Sequence, residues 1–244
     1  MMACNTEQTI IGFADIIFPP RCSICGTLLD GNRATSFCRA CRSGMTRIEP
    51  PLCSCCGTPF EGPHAGDHLC GECLSGVQHM SVARAFGKYD GTLMAAIHLF
   101  KYRGKSAVGH ALGKLMANHI YKDLNIKNYT VIIPVPLHPK RLRERGFNQS
   151  LILARHLGRK YAIPVDFMTL KRRKHTDPQI LLKRNQRMSN VRGAFEVTVQ
   201  DNIAGQRIIL VDDVYTTGST VQECCRTLIR HDAQDVAVIT LARA

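Results

Sequence analysis

The sequence has no tryptophan, few acidic residues and no long apolar run. Its 244 residues include 19 Asp and Glu against 32 Lys and Arg, so the formal net charge is +13. Apolar residues make up 45% of the chain, which excludes a disordered protein. No apolar run approaches the roughly 20 residues that a membrane-spanning helix needs. The first twenty residues lack Lys and Arg, and Asp15 interrupts their apolar stretch, so we expect no secretory signal and a cytoplasmic location.

Cysteine and charge divide the chain into two parts. Nine of the 12 cysteines lie between Cys22 and Cys73, and residues 1–80 carry 5 Lys or Arg against 7 Asp or Glu. Residues 81–244 carry 27 against 12. Because the first part is too short for a large apolar core, it needs cross-links or metal. We predict a small Cys-rich domain over residues 1–80 and a basic domain over residues 81–244.

The Cys-rich part contains four C-x-x-C pairs in succession. Each pair can place two thiolates on one tight turn, as one edge of a tetrahedral zinc site requires. The pairs are Cys22/Cys25, Cys38/Cys41, Cys53/Cys56 and Cys70/Cys73. Two structural Zn²⁺ sites follow, because four thiolates leave no position for water. The sequence leaves open whether the pairs combine sequentially or interleave. A disulfide framework is the alternative, and it needs an oxidising compartment.

Three further residues near these pairs are possible substitute ligands. Cys55 lies between Cys53 and Cys56, but the C-x-x-C spacing favours the outer two. His64 and His68 fall between the last two pairs, and the alternative for both is a solvated loop position.

In the basic part, short apolar strands alternate with helices. The predicted strands lie at residues 81–91, 130–135, 165–168, 207–211 and 236–241, and the predicted helices at 92–121 with a break at Gly104, 147–160 and 219–230. This alternation predicts an α/β fold with a doubly wound parallel sheet and right-handed crossovers. In such sheets, ligands bind beyond the carboxyl ends of the strands.

The residues most indicative of chemistry follow the predicted strand 207–211. Asp212 and Asp213 can accept hydrogen bonds from a vicinal diol such as the ribose 2′- and 3′-hydroxyls. The next segment offers hydroxyls and backbone N–H groups at a helix N-terminus, which suits a phosphate dianion. Its residues are Thr216, Thr217, Gly218, Ser219 and Thr220. Diol and phosphate together indicate a 5-phosphoribosyl group. The alternative is a pair of exposed turn acids before an ordinary helix cap.

This run resembles the phosphoribosyl pyrophosphate (PRPP) signature of type I phosphoribosyltransferases. The resemblance implies that Asp212 and Asp213 hold the ribose hydroxyls of Mg²⁺-bound PRPP, and that the following loop holds the 5′-phosphate. In that fold, the loop after the strand at 130–135 contacts pyrophosphate, and Lys140 and Arg141 are the candidate partners.

The same resemblance implies a mobile loop over residues 171–192 that closes on the reacting ribose and excludes water. Thr176, Gln179 and Arg187 are its candidate contacts. A basic loop that faces solvent is the alternative for all three.

Taken together, the two parts resemble the ComF family of competence-associated proteins. Besides the cysteine pairs, the resemblance rests on Phe100-Lys-Tyr-Arg-Gly104, Pro134-Val-Pro136, Arg145-Gly-Phe-Asn-Gln149, Thr176-x-x-Gln179, Arg187-x-x-Asn190 and the PRPP signature. It implies a double zinc-ribbon domain before a phosphoribosyltransferase-like domain. It also implies a role in natural competence, with imported single-stranded DNA and proteins of the import machinery as partners.

Residues 138–192 hold more positive charge than a small nucleotide needs, with 15 Lys or Arg against 3 Asp or Glu. The surplus predicts binding of a polyanion. Nearby rings can stack on the bases of a single strand, although some are expected in the core; they are Tyr102, Phe147, Tyr161 and Phe167. The alternative functions are an active phosphoribosyltransferase with an unidentified nitrogen acceptor and a PRPP-sensing regulator without turnover.

Overall fold

The computed structural model describes residues 19–29, 36–60, 62, 66–102, 105–174 and 191–244, and for Tyr102 the backbone alone. Its strands are β1 Val82–Lys88, β2 Val131–Pro134, β3 Leu170–Arg172, β4 Phe195–Val197, β5 Arg207–Tyr215 and β6 Asp235–Arg243. Its helices are α1 Arg39–Ser43, α2 Gly71–Ser75, α3 Gly91–Tyr102, α4 Ser106–Asn118, α5 Pro139–Arg145, α6 Gln149–Tyr161 and α7 Ser219–Ile229. In these ranges, no helix has the length and apolar character to cross a membrane.

Four strands form the central sheet in the order β1-β6-β5-β2, and every neighbouring pair is parallel. Both faces are buried because apolar side chains of β5 alternate between them. Ile209 and Val211 pack on the side of α3, α4 and α6, whereas Ile208 and Leu210 pack on the side of α7. The predicted parallel α/β sheet is confirmed. The break within 92–121 is confirmed too, since α3 ends at Tyr102 and α4 begins at Ser106.

The predicted strand at 165–168 is wrong. Val165 forms only an isolated parallel bridge with Ile132. The next residue, Asp166, accepts hydrogen bonds through Oδ1 from the backbone N–H groups of Met168 at 2.8 Å and Thr169 at 3.0 Å. This side-chain turn ends the pairing with β2. The chain becomes extended again in β3, which pairs antiparallel with β4 in a separate two-stranded sheet.

Strand β5 is longer than predicted and includes both acids of the signature. Its ladder with β6 continues to the pair Tyr215 and Arg243, whereas its ladder with β2 ends at the pair Pro134 and Val211. From Asp212 onward, β5 therefore has a strand neighbour on one side only. The resulting notch at the carboxyl end of the sheet is the place where ligands of parallel sheets bind.

The Cys-rich part covers the free edge of β1. The N–H of Ala83 donates to the carbonyl of Cys55 at 2.7 Å, and the N–H of Lys88 donates to the carbonyl of Thr46 at 2.9 Å. A Cβ on Gly57, which has a φ of +71°, would lie 2.4 Å from the carbonyl oxygen of Ala83, so no larger residue fits there. These contacts give backbone N–H groups on the outer edge of β1 their hydrogen-bond acceptors, and they join the two parts of the chain.

Candidate functional site

The eight cysteines of the C-x-x-C pairs gather into two sets in sequential order. Within each set the sulfur atoms lie within 4.8 Å of one another; the sets are Cys22, Cys25, Cys38, Cys41 and Cys53, Cys56, Cys70, Cys73. The Sγ atoms of Cys25 and Cys38 are 3.6 Å apart, and those of Cys56 and Cys70 are 3.7 Å apart. Tetrahedral sulfurs at a zinc–sulfur distance of about 2.3 Å would lie about 3.8 Å apart. Both sets therefore fit a structural zinc ion.

Of the three possible substitute ligands, the two that lie in the described residues, Cys55 and His68, belong to neither set. Cys55 directs its thiol toward the carbonyl of Met80 at 3.9 Å. His68 stacks on Phe60 with 3.9 Å between ring centroids. His64 lies outside the described residues.

Asp212 and Asp213 are held by two different helices. Because neighbouring side chains of a strand point to opposite sides, each acid reaches a different partner. The ammonium of Lys101, at the end of α3, lies 2.8 Å from Asp213 Oδ2. The hydroxyl of Ser150, in the first turn of α6, donates to Asp212 Oδ1 at 2.9 Å, and the Asp213 N–H donates to the same oxygen at 2.9 Å. Among the described residues, the second oxygen of each carboxylate has no hydrogen-bond partner, so two acceptors remain for a diol.

Burial, followed by the neighbouring Asp213 carboxylate, raises the pKa of Asp212 to about 7. The Asp213 N–H, Lys101 and Ser150 oppose this rise. Burial is the largest single influence on Lys101 and acts to lower its pKa, but the charge and hydrogen bond of Asp213 together with the charge of Asp212 outweigh it, and the net pKa is raised. The notch thus combines a stable ion pair with a carboxyl group that titrates near neutral pH.

The loop after β5 bends at Gly218, where the backbone is left-handed with a φ of +74°. A Cβ at this position would lie 2.3 Å from the hydroxyl of Tyr215, so only glycine fits. Helix α7 begins at the next residue, and the hydroxyls of Thr217 and Ser219 lie 2.9 Å apart. The first N–H groups of a helix have no acceptor within it. Backbone donors and hydroxyls therefore converge on the position where an anion is favoured.

The two predicted pyrophosphate partners lie on a helix rather than in a loop. Lys140 and Arg141 are in the first turn of α5, because the ring of His138 caps this helix by accepting from the Lys140 N–H at 3.3 Å. Lys140 is exposed and Arg141 is half-buried. Burial lowers the pKa of Arg172, Arg141 adds to this effect, and Asp212 opposes it. Arg172 therefore lies within electrostatic reach of both Asp212 and Arg141.

The sequence alone gives no role to Lys101, Ser150 and Arg172. Two of these positions had a signal in the family resemblance. Lys101 lies within one of its motifs, and Ser150 directly follows Gln149, the last residue of another. The predicted loop contacts Thr176, Gln179 and Arg187 lie outside the described residues.

The fold and these two kinds of site define a phosphoribosyltransferase-type domain that follows a double zinc ribbon. Residues 13–74 match the family model of the double zinc ribbon domain. Residues 143–244 match the family model of the phosphoribosyl transferase domain, which implies a ligand of the PRPP type.

Curated relatives identify the family more narrowly. The chain is 33% identical to competence protein F of Haemophilus influenzae over 191 residues, which cover 74% of this chain and 83% of that protein. It is 32% identical to the DNA utilization protein YhgH of Escherichia coli K12 over 185 residues, which cover 74% of this chain and 81% of that protein. It is 30% identical to competence protein ComFC of Bacillus subtilis over 162 residues, which cover 66% of this chain and 64% of that protein. The chain belongs to the ComF family of competence proteins.

Solved phosphoribosyltransferases are similar at a lower level. Glutamine PRPP amidotransferase of B. subtilis, complexed with ADP and GMP, matches with a TM-score of 0.36 and 22% identity. The match covers 54% of this chain and 25% of that chain. A hypoxanthine-guanine phosphoribosyltransferase of Bacillus anthracis matches with a TM-score of 0.35 and 18% identity, over 55% and 68%.

Proposed function

We propose that this chain is a PRPP-binding protein of natural competence that handles imported single-stranded DNA in the cytoplasm. The observation that carries the PRPP part is the acid pair in the notch, followed along the chain by the left-handed bend at Gly218. Asp212 and Asp213 each retain a carboxylate oxygen for the ribose diol. The Thr216–Thr220 segment supplies the anion site for the 5′-phosphate.

The pyrophosphate of PRPP would lie toward α5 in this proposal. Arg172 provides positive charge near Asp212, and Arg141 adds a second guanidinium near Arg172. A guanidinium group suits phosphate oxygens better than a point charge does. Lys140, on the exposed side of the same helix turn, would contribute a longer-range attraction. Mg²⁺ would accompany PRPP and offset charge on the pyrophosphate.

Calorimetry tests the PRPP site directly. In the variant with both Asp212→Ala and Asp213→Ala, PRPP binding is expected to disappear, because the diol loses its acceptors. The matched control is Asp201→Ala, which removes an exposed carboxylate from a short 3-10 turn. Unchanged PRPP affinity in the double variant would end the assignment.

The DNA part of the proposal is supported by a basic surface next to an exposed ring. The exposed cations between residues 138 and 174 are Lys140, Arg143, Arg155, Arg159, Lys160, Arg173 and Lys174. Phe167 is 46% exposed, and the guanidinium of Arg155 lies 5.8 Å from its ring centroid. An aromatic ring beside an arginine is a typical platform for an unpaired base. Phe147 is a poorer candidate because it packs against the buried Phe100.

Anisotropy with a labelled oligothymidine tests this surface. Affinity is expected to fall steeply with salt, because bound cations release counterions from the DNA. Phe167→Ala should weaken binding by about tenfold through lost stacking. Ile120→Ala, which truncates a 90% exposed side chain beside the Cys-rich part, should have no effect. A flat salt response would remove the polyanion argument, and equal affinities would remove Phe167 from it.

The relatives' names place them in competence and DNA utilization, and a transformation assay would connect the PRPP site to such a pathway in this chain. Cells that carry the double aspartate variant are expected to lose DNA uptake. Normal uptake would separate the site from the pathway.

An active phosphoribosyltransferase is the second candidate function. It is favoured by the acid pair itself, because Asp212 and Asp213 would hold the ribose of PRPP in place for attack at C1. In that case a nitrogen acceptor would form the bond to C1 as pyrophosphate leaves, and the proton of the acceptor would pass to the departing pyrophosphate. Pyrophosphate release from PRPP in the presence of candidate acceptors is the test, and its absence with every acceptor would leave binding without turnover.

A further inference from the structure

Arg243, near the end of β6, contacts the second cysteine set directly. Its Nη1 donates to the carbonyl oxygen of Cys56 at 2.8 Å, and its Nη2 lies 3.6 Å from the Cys56 sulfur. The same Nη2 donates to the hydroxyl of Thr58. One guanidinium therefore contacts the Cys56 carbonyl, the Cys56 sulfur and the Thr58 hydroxyl. The fixed fork of guanidinium donors permits these three contacts at once.

The other side of Arg243 contacts Tyr215, the last residue of β5, which directly precedes the Thr216–Thr220 segment, here called the phosphate loop. Its Cζ lies 4.3 Å from the ring centroid of Tyr215, the directly opposite residue in the β5–β6 ladder. The Tyr215 side chain is buried, and its hydroxyl lies 2.3 Å from where a Cβ on Gly218 would be. The left-handed bend at Gly218 thus packs directly against the Tyr215 side chain.

These contacts form a continuous connection from a metal set to an anion site. We propose that Arg243 is a positioning residue that couples zinc occupancy at Cys53, Cys56, Cys70 and Cys73 to the shape of the phosphate loop. This inference rests on the proposed PRPP site and adds a regulatory connection to it. The connection is contiguous, since every step is a hydrogen bond or a packed contact between described residues.

The physical reason is that zinc fixes the Cys56 turn. Without metal, no bond holds the four sulfur atoms together, and the turn that presents the Cys56 carbonyl and the Thr58 hydroxyl is released. Arg243 then loses its acceptors and no longer holds the Tyr215 ring. Because binding linkage is reciprocal, a ligand on the phosphate loop must also raise the zinc affinity of the second set, and we expect the tighter binding to slow metal loss.

The first cysteine set provides an internal control. It packs on the opposite side of the sheet, where Cys22 joins the cluster of α3, α4 and α6, and the nearby Ser36 donates to the carbonyl of Ala107 at 3.3 Å. In the described residues, no hydrogen bond connects this set to Tyr215, Arg243 or Gly218. A ligand at the phosphate loop should therefore leave metal release from the first set unchanged.

Pulsed alkylation with mass spectrometry tests the coupling on the full zinc-loaded chain, because it reports metal loss for each cysteine separately. Saturating PRPP is expected to slow alkylation of the second set by at least about fivefold, the lower end of typical coupling between sites. Alkylation of the first set should not change. Inorganic phosphate serves as a second probe, and it should protect the second set less than PRPP.

Three variants complete the experiment, each measured at the same multiple of its own dissociation constant for PRPP. Arg243→Ala should abolish the protection, and Arg243→Lys, which keeps the charge but not the fork, should reduce it. Arg230→Ala, at the exposed end of α7, should keep it in full. Because Arg243→Lys is the milder change, it decides the question if the alanine variant does not fold.

Two different failures can be told apart. If calorimetry detects no PRPP binding to the wild-type chain, the proposed function fails. If PRPP binds but the second set is alkylated at the same rate, or if Arg243→Lys is protected as fully as wild type, the coupling through Arg243 is wrong while the PRPP site stands.

Discussion

The ammonium of Lys101 lies 2.8 Å from the carboxylate of Asp213, and the two side chains are only 17% and 13% exposed. This ion pair joins the end of α3 to the notch beside β2, β5 and β6. It compensates one of two adjacent negative charges and leaves the second, on Asp212, partly protonated at neutral pH. The ion pair therefore determines the net charge of the acid pair before a ligand binds.

Replacing Lys101 with Met should destabilise the fold by about 2 kcal/mol, because it leaves Asp213 without its counter-charge in a mostly buried position. Urea denaturation measures the change. The matched control is Lys105→Met, which removes an exposed ammonium just before α4 and should stay within about 0.5 kcal/mol of wild type. Equal stabilities of the two variants would show that the ion pair contributes nothing.

The carboxyl group of Asp212 should make stability fall as pH rises from about 4 to about 7. Its pKa is about 7 in the folded chain against an ordinary value of 3.8, so the folded state binds more protons in this range. The slope is at most about 1.4 kcal/mol per pH unit. Asp212→Asn removes this contribution. The free energy of unfolding of the variant should therefore rise relative to that of the wild type as pH increases.

Wild type has to be compared with the Asp212→Asn variant because His156 makes stability rise with pH, opposite to the effect of Asp212. Burial, aided by the charges of His110 and nearby basic residues, lowers the pKa of His156 to about 4, so the unfolded chain binds more protons there between about pH 4 and 6.5. Urea denaturation of both proteins across this range gives the difference. Parallel stability curves would mean that Asp212 titrates normally.

Gly218→Ala should abolish PRPP binding and destabilise the chain by about 3 kcal/mol. The new Cβ would collide with the Tyr215 hydroxyl and would also require a left-handed backbone. Gly205→Ala separates the two effects, since Gly205 has a φ of +70° with no atom within 4 Å of its Cβ position. It should cost about 1–2 kcal/mol and leave PRPP affinity unchanged. A Gly218→Ala chain with full affinity would contradict the close packing of the phosphate loop.

Cys56→Ser should reduce the zinc content from two ions per chain to one, as measured by elemental analysis of the purified chain, because serine is a poor substitute for a thiolate ligand. Cys55→Ser is the matched control at the adjacent position. Cys55 lies outside both sets, so its variant should retain two zinc ions. The assignment of the second set would be wrong if Cys55→Ser lost the metal and Cys56→Ser kept it.

Local features of the site were predictable because they depend on residues a few positions apart. A C-x-x-C pair makes a tight turn by itself, and Asp212, Asp213 and Gly218 follow a buried strand within one continuous segment. The sequential grouping of the cysteines was one of two open arrangements, since distance along the chain does not decide which turns meet. The strand predicted at 165–168 failed because a side chain, Asp166, took the backbone N–H groups that a strand would have used.

The sequence by itself determined the two classes of ligand group in this protein, thiolates in pairs and an acid pair before a hydroxyl-rich bend, because their chemistry lies in short runs of residues. Only the tertiary structure decided that Lys101 and Ser150 hold the acids and that Arg243 connects a cysteine set to the phosphate loop. Ser150 lies 62 residues from Asp212, Lys101 lies 112 residues from Asp213 and Arg243 lies 187 residues from Cys56, and no local periodicity encodes such pairs. The parallel sheet brings them together, since its strands end at one common edge.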